Sequence, residues 1–100
     1  MIRVRSAIAL HAQKWRFTRS LVEDAPEHEG VYALWRDGTL LHLGCARGGE
    51  TLRDRLLAHL ERDPRIEHPT HYSWEISVDP MRRAWQLALD LAAREKEEHA

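Results

Sequence analysis

Four side chains stand at spacings that would bring reactive groups together. Gly30-Val31-Tyr32 opens one extended segment and His42-Leu43-Gly44 closes the next, so Tyr32 and His42 lie ten residues apart in the two halves of a hairpin. Side chains alternate along a strand, and that alternation allows both on one face. On the segment that follows, Arg55 and His59 are spaced i, i+4 and share one side of a helix. A phenol, two imidazoles and a guanidinium meeting at a sheet face suit phosphate-ester chemistry. Arg55 would grip a phosphate with two parallel hydrogen bonds, and an imidazole or phenolate would take or relay a proton from water. Taken singly, each residue has a plainer role: Tyr32 as a strand aromatic packed on a helix, His42 as a sheet histidine, Arg55 and His59 as solvated helix side chains. Their joint placement points to a site.

The elements that must position these groups are legible in turn. Val31–Arg36 is rich in aromatic and branched residues and reads as a strand; Asp37-Gly38 is a tight-turn pair, and residues 39–43 form the returning strand. Three glycines between Gly44 and Glu50 mark a loop. Thr51 and Asp54 then form a capping box at the start of a helix carrying Leu52, Leu56, Leu57 and Leu60 on one side and ending near Asp63-Pro64. Residues 72–78 alternate with period two as a half-buried strand does. Asp79-Pro80 supplies an N-cap and a first-turn proline for a final helix. That helix runs into the 90s with Met81, Ala84, Trp85, Ala88, Leu89, Leu91 and Ala92 as its apolar side, and the terminal REKEEHA reads as a solvated, frayed end. Residues 2–22 carry no clean period and give only a weak signal for a short helix or strand; residues 25–30 are a loop. The fold class expected is α+β: a small three-stranded, mainly antiparallel sheet flanked by helices.

Composition sets the bounds. One hundred residues, 43% hydrophobic and 31% charged, make a single domain with a modest core. No stretch approaches the roughly 20 apolar residues of a membrane span. A single cysteine, Cys45, excludes an internal disulfide and makes a cytoplasmic location the expectation. The net charge of −1 argues against a strongly basic nucleic-acid module. Charge is unevenly spread, however. Arg3, Arg5, Lys14, Arg16 and Arg19 precede an acidic run of Glu23, Asp24, Glu27 and Glu29. The four tryptophans read as core, except Trp15, whose basic neighbours Lys14 and Arg16 suit either base stacking or an interface anchor.

The ordered pattern Gly-x-Tyr, ten residues to His-x-Gly, then Leu-Arg-x-Arg-Leu-x-x-His resembles the GIY-YIG nuclease superfamily. The resemblance runs from about Pro26 to Leu60, and its strand-then-helix tail carries it to the 90s, which divides the chain into an N-terminal extension (1–25) and a GIY-YIG-like domain (26–98). It implies a metal-dependent DNA endonuclease that hydrolyses a phosphodiester in one displacement. By position it makes Tyr32 the general base or water-orienting phenol, Arg55 the phosphate ligand and His59 a group that positions the attacking water. It also implies Mg²⁺ or Mn²⁺ held by a glutamate of the last helix, stabilising the leaving oxygen.

The chain departs from that pattern in places. His42 stands where a second tyrosine is usual, Cys45 replaces a frequent lysine, and the loop before Arg55 is longer. Gln86 occupies the glutamate position, and a neutral amide is a poor ligand for a hard cation. Asp90, one turn on, is the alternative ligand, and Glu95 lies further off. Two other readings follow. One is a degenerate GIY-YIG-fold protein acting in nucleic-acid binding or protein interaction; the other is an interaction domain built on the tryptophans. A zinc site of His42, Cys45 and His59 matches no standard spacing. The DNA target would be a structured one, or one reached through a partner protein.

Overall fold

A computed structural model describes residue 10 and residues 13–62 and 68–99. Among them are four strands and three helices in the order β1 (Trp15–Arg16), α1 (Arg19–Val22), β2 (Gly30–Arg36), β3 (Thr39–Ala46), α2 (Leu52–Arg62), β4 (His71–Ile76) and α3 (Pro80–His99). All pairings are antiparallel, in the spatial order β1-β4-β2-β3. The fold is α+β as expected, with one strand more than the three expected, in the stretch where the sequence gives only a weak signal for a short helix or strand. The added strand is the two-residue β1, which pairs Trp15 with Tyr72 and Arg16 with His71. So short a strand has no local signature; it exists because β4 offers it an edge.

The hairpin forms where its turn chemistry demands. Asp37 and Gly38 have φ of 50° and 99°, the double left-handed geometry that lets a two-residue loop match the strands' twist. A two-residue loop has a consequence for the faces, though. It pairs Arg36 with Thr39 and Trp35 with Leu40, and continued regularly it would set Tyr32 opposite Leu43 and put His42 on the other face. The register instead shifts between Leu34 and Trp35, leaving Leu41 as the extra residue of a bulge. Beyond it Leu34 pairs with His42 and Tyr32 with Gly44. Simple alternation between residues 32 and 42 was therefore not sufficient to place His42; the bulge does it.

The sheet is covered on both faces. On one, Tyr32, Leu34, Tyr72 and Ala46 pack with Leu52 and Leu56 of α2 and with Val22 and Ala25. On the other, Val31, Ala33 and Trp35 pack with Leu10 and with Leu87 of α3. The buried Trp35 indole donates to Ser73 Oγ at 2.8 Å, satisfying the polar atoms of both residues between strand and helix layers.

The helix starts follow their caps. Thr51 Oγ1 accepts from Asp54 N at 3.1 Å while Asp54 Oδ2 accepts from Thr51 N at 3.0 Å, the reciprocal capping box. Asp79 Oδ1 accepts from Arg82 N at 3.4 Å at the head of α3. Two readings of α3 need correction. Its deeply buried residue is Leu87, while Met81, Trp85 and Leu89 from the expected apolar side are 45%, 67% and 64% exposed. The helix packs by one narrow stripe, and the rest of its apolar surface faces outward. Trp85 is accordingly not core, whereas Trp15 lies half-buried, stacked on Trp74 at 5.5 Å and 8°. Helical backbone extends to His99. No described helix is long and apolar enough to cross a membrane. Residues 1–9 of the basic N-terminal stretch and residues 63–67 lie outside the described residues.

Candidate functional site

Two glycines set the geometry at the ends of the hairpin motif. A Cβ on Gly30 would stand 2.2 Å from the backbone oxygen of Glu75, so glycine is what allows β2 to close on β4 there. A Cβ on Gly44 would stand 2.6 Å from both Cζ and Oη of Tyr32 and 2.9 Å from Nε2 of His42. The missing side chain is the space into which the Tyr32 ring lies. Each glycine of the motif has a steric task, and the second is to seat the phenol.

From above, α2 brings down Arg55 and His59. Tyr32 Oη lies 2.7 Å from His59 Nε2, accepts from Arg55 Nη2 at 3.4 Å, and lies 3.5 Å from His42 Nε2. The two imidazole rings are 5.0 Å apart, centre to centre. Arginine only donates, so Tyr32 Oη accepts from Arg55 and shares its remaining lone pair and its one proton with the two imidazoles. The four residues selected from spacing are thus in mutual contact around one oxygen.

Their exposures differ, and this assigns their roles. Tyr32 is fully buried. Arg55 is about one third exposed, with a side-chain value of 32%, and His42 opens to solvent on one side while its ring is covered on the other by Tyr32 and His59. Burial is also the main cause of the shifts in proton affinity. It raises the Tyr32 pKa above the usual 10, against the hydrogen bond and charge of Arg55, so the phenol stays protonated. It lowers the His42 pKa below 6.5, with the Arg55 charge adding to the effect, so the imidazole is neutral at pH 7. Arg55 Nε is buried and has no hydrogen-bond partner among the described residues. An unsatisfied buried donor costs about 1–3 kcal/mol, so this guanidinium stands ready for an acceptor. Glu50 also faces it, with Oε1 3.8 Å from Nη1 in the loop before α2. Sequence reasoning passed over Glu50; its one signal was its place at the end of the glycine loop, five residues before Arg55.

The proposed metal ligands do not join this cluster. Gln86 and Asp90 lie on α3, across the sheet from α2. There Gln86 Oε1 accepts from Arg83 Nη1 at 3.4 Å, and Arg83 is held by Glu75 through Nε and Nη2. Asp90 adds a nearby negative charge that raises the Arg83 pKa, after the larger effects of Glu75 and of burial. The reason is topological: Val31, Ala33, Glu75 and Leu87 share the opposite face from Tyr32. Among the described residues no three His, Cys, Asp or Glu side chains gather as a metal shell would need. Gln86 and Asp90 therefore do not fit a metal ion acting at Tyr32 and Arg55. Cys45, paired with Val31, also belongs to the α3 side, which separates it from His42 and His59. The Glu95 side chain lies outside the described residues.

Searches of family models, of curated proteins and of solved structures returned no match to this chain.

Proposed function

We propose that this chain is a GIY-YIG-like phosphodiester hydrolase acting on DNA, with Arg55 and His42 meeting the substrate and Tyr32 and His59 positioning them. The observation that carries the reading is the contact set around Tyr32 Oη: an arginine with an unpaired buried donor, a neutral exposed imidazole and a second imidazole joined by one phenol. Arg55 Nε and an Nη group match two non-bridging oxygens of a phosphate, and a bound phosphate would displace the weakly held Glu50. His42, with its pKa below 6.5, is in the right protonation state to take a proton from the attacking water. Tyr32 is closed off from solvent and protonated, so it acts by holding Arg55 and the two imidazoles rather than as the phenolate base the resemblance allowed. His59 Nε2, 2.7 Å from the Tyr32 oxygen, holds the phenol in its orientation. Gln86 and Asp90 are across the sheet from this cluster, so a dependence on Mg²⁺ or Mn²⁺ is a matter for measurement. A reducing, cytoplasmic setting agrees with a lone thiol at Cys45.

The test is cleavage of supercoiled plasmid and of a branched oligonucleotide, with Mg²⁺, with Mn²⁺ and with chelator. Arg55→Ala is expected to abolish cleavage and Gln86→Glu to leave it unchanged. Activity that appears only in Gln86→Glu would support the degenerate-relative reading instead. Cleavage undiminished in Arg55→Ala would refute the site.

A further inference from the structure

The strand that carries His42 and Gly44 toward the site has a second role on its other side. β3 ends the sheet row, so its outer edge has no strand partner among the described residues. Edge strands are normally guarded by charge, proline or extreme shortness. The opposite edge is guarded in this way: β1 has two residues, one of them the exposed Arg16. β3 is eight residues long, reads TLLHLGCA, and contains no charged side chain and no proline. The bulge at Leu41 bends its first half, which leaves residues 42–46 as the regular run.

Directly beneath that run, on the face away from the candidate site, Leu43 and Cys45 line a groove with Met81, Ala84, Trp85 and Ala88 of α3. The groove has a volume of about 330 Å³ and an almost wholly apolar lining. Trp85 stands at its rim, 67% exposed, with Met81 and Leu89 flanking it one turn to each side. A row of backbone groups with no strand partner among the described residues, an apolar slot and a projecting indole thus occur side by side on one chain.

We infer that β3 pairs antiparallel over residues 42–46 with β3 of a second copy, each Trp85 entering the groove of the other chain. The occupant is a second copy because one twofold axis through the β3 edge satisfies every feature together. It pairs the free backbone groups, brings two uncharged strands into contact without like-charge repulsion, and carries each α3 to the mouth of the other chain's groove. An acidic or basic partner would find no complementary charge along this edge. The axis runs perpendicular to the sheet and makes one eight-stranded sheet from two four-stranded ones. Both Tyr32–Arg55 clusters then lie on the same side of it. If the hydrolase reading holds, the dimer offers two adjacent sites to one duplex; the pairing itself does not rest on that reading.

The experiment is sedimentation velocity of the full chain over a concentration series, with amide hydrogen exchange on the same samples. The expected result is a species of twice the 11.7 kDa chain mass, with β3 amides over 42–46 protected. Trp85→Asp is expected to give the monomer with those amides exposed and to unfold cooperatively at a melting temperature that no longer depends on protein concentration. Leu89→Lys serves as a second variant with the same expected shift toward monomer. A short bis-maleimide linking the single Cys45 of each copy should form covalent dimers in the wild type and not in Trp85→Asp. A wild type monomeric at every concentration overturns the inference, as does a dimer indifferent to both variants or one whose β3 amides exchange freely. None of these readouts uses nuclease activity, so a failure of the catalytic reading leaves the outcome interpretable.

Discussion

Gly44→Ala tests the central claim that an absent side chain holds the Tyr32 phenol in place. The added methyl would sit 2.6 Å from Tyr32 Cζ and Oη and 2.9 Å from His42 Nε2, all closer than real Cβ contacts allow. Gly44 has no left-handed φ, so backbone strain contributes nothing and the cost is wholly one of contact. The Tyr32 ring is enclosed by Leu52, Leu56 and Ala46 and cannot swing away freely. Over-packing of this sort costs about 1–3 kcal/mol, and forcing the phenol off its 2.7 Å bond to His59 adds the loss of a buried hydrogen bond, roughly 1 kcal/mol. For a chain of this length each kcal/mol lowers the melting temperature by about 4–8 °C, so a drop on the order of 10–20 °C is expected. Thermal unfolding by circular dichroism measures it. The decisive control is the same change in a Tyr32→Leu background, where the two nearest clashing atoms are gone, only the exposed end of the His42 ring remains at 2.9 Å, and Gly44→Ala should cost far less. An equal cost in both backgrounds, or no cost in the wild type, would refute the reasoning.

Other consequences can be checked alongside. Gly30→Ala places a Cβ 2.2 Å from the Glu75 backbone oxygen, which cannot yield as a side chain can, so the β2–β4 pairing should open and the protein should fail to melt cooperatively. Ser73→Ala leaves the buried Trp35 indole N–H without its 2.8 Å acceptor and should cost about 1–3 kcal/mol in urea unfolding. His42 has a lowered pKa, so below about 6.5 the unfolded chain binds a proton the folded site resists; stability should fall as pH drops through that range, and His42→Gln should flatten the profile. The Tyr32 pKa is raised, so the unfolded phenol ionises first and stability should fall above about pH 10, a loss removed in Tyr32→Phe. Proton titrations of the melting temperature measure both.

Much of the site was legible because its signals are local. Asp37-Gly38 can hardly be anything but a tight turn, Thr51 and Asp54 cap each other across three residues, and Arg55 and His59 share a helix side by spacing alone. Those facts place a hairpin, then a helix, with Tyr32, Arg55 and His59 near one another. What separated residues do was not legible. The β1 pairing of Trp15 with Tyr72 spans more than fifty positions and leaves no trace in a two-residue strand. Gln86 and Asp90 were in plausible positions along the chain but lie across the sheet, because a helix of mixed apolar surface can pack by several stripes and the strands beneath chose Leu87.

His42 shows the boundary between the two. The sequence by itself determined that a histidine would lie on the strand returning from the Asp37-Gly38 turn. It could not determine the face, since side chains alternate with a period of two and one extra residue exchanges the faces. The bulge at Leu41 supplies that residue, and with it Leu40 and Leu43 face Trp35 and Ala33 while His42 faces Tyr32. Only the packing of both sheet faces at once decides between those registers, and the candidate site exists because the bulged one wins.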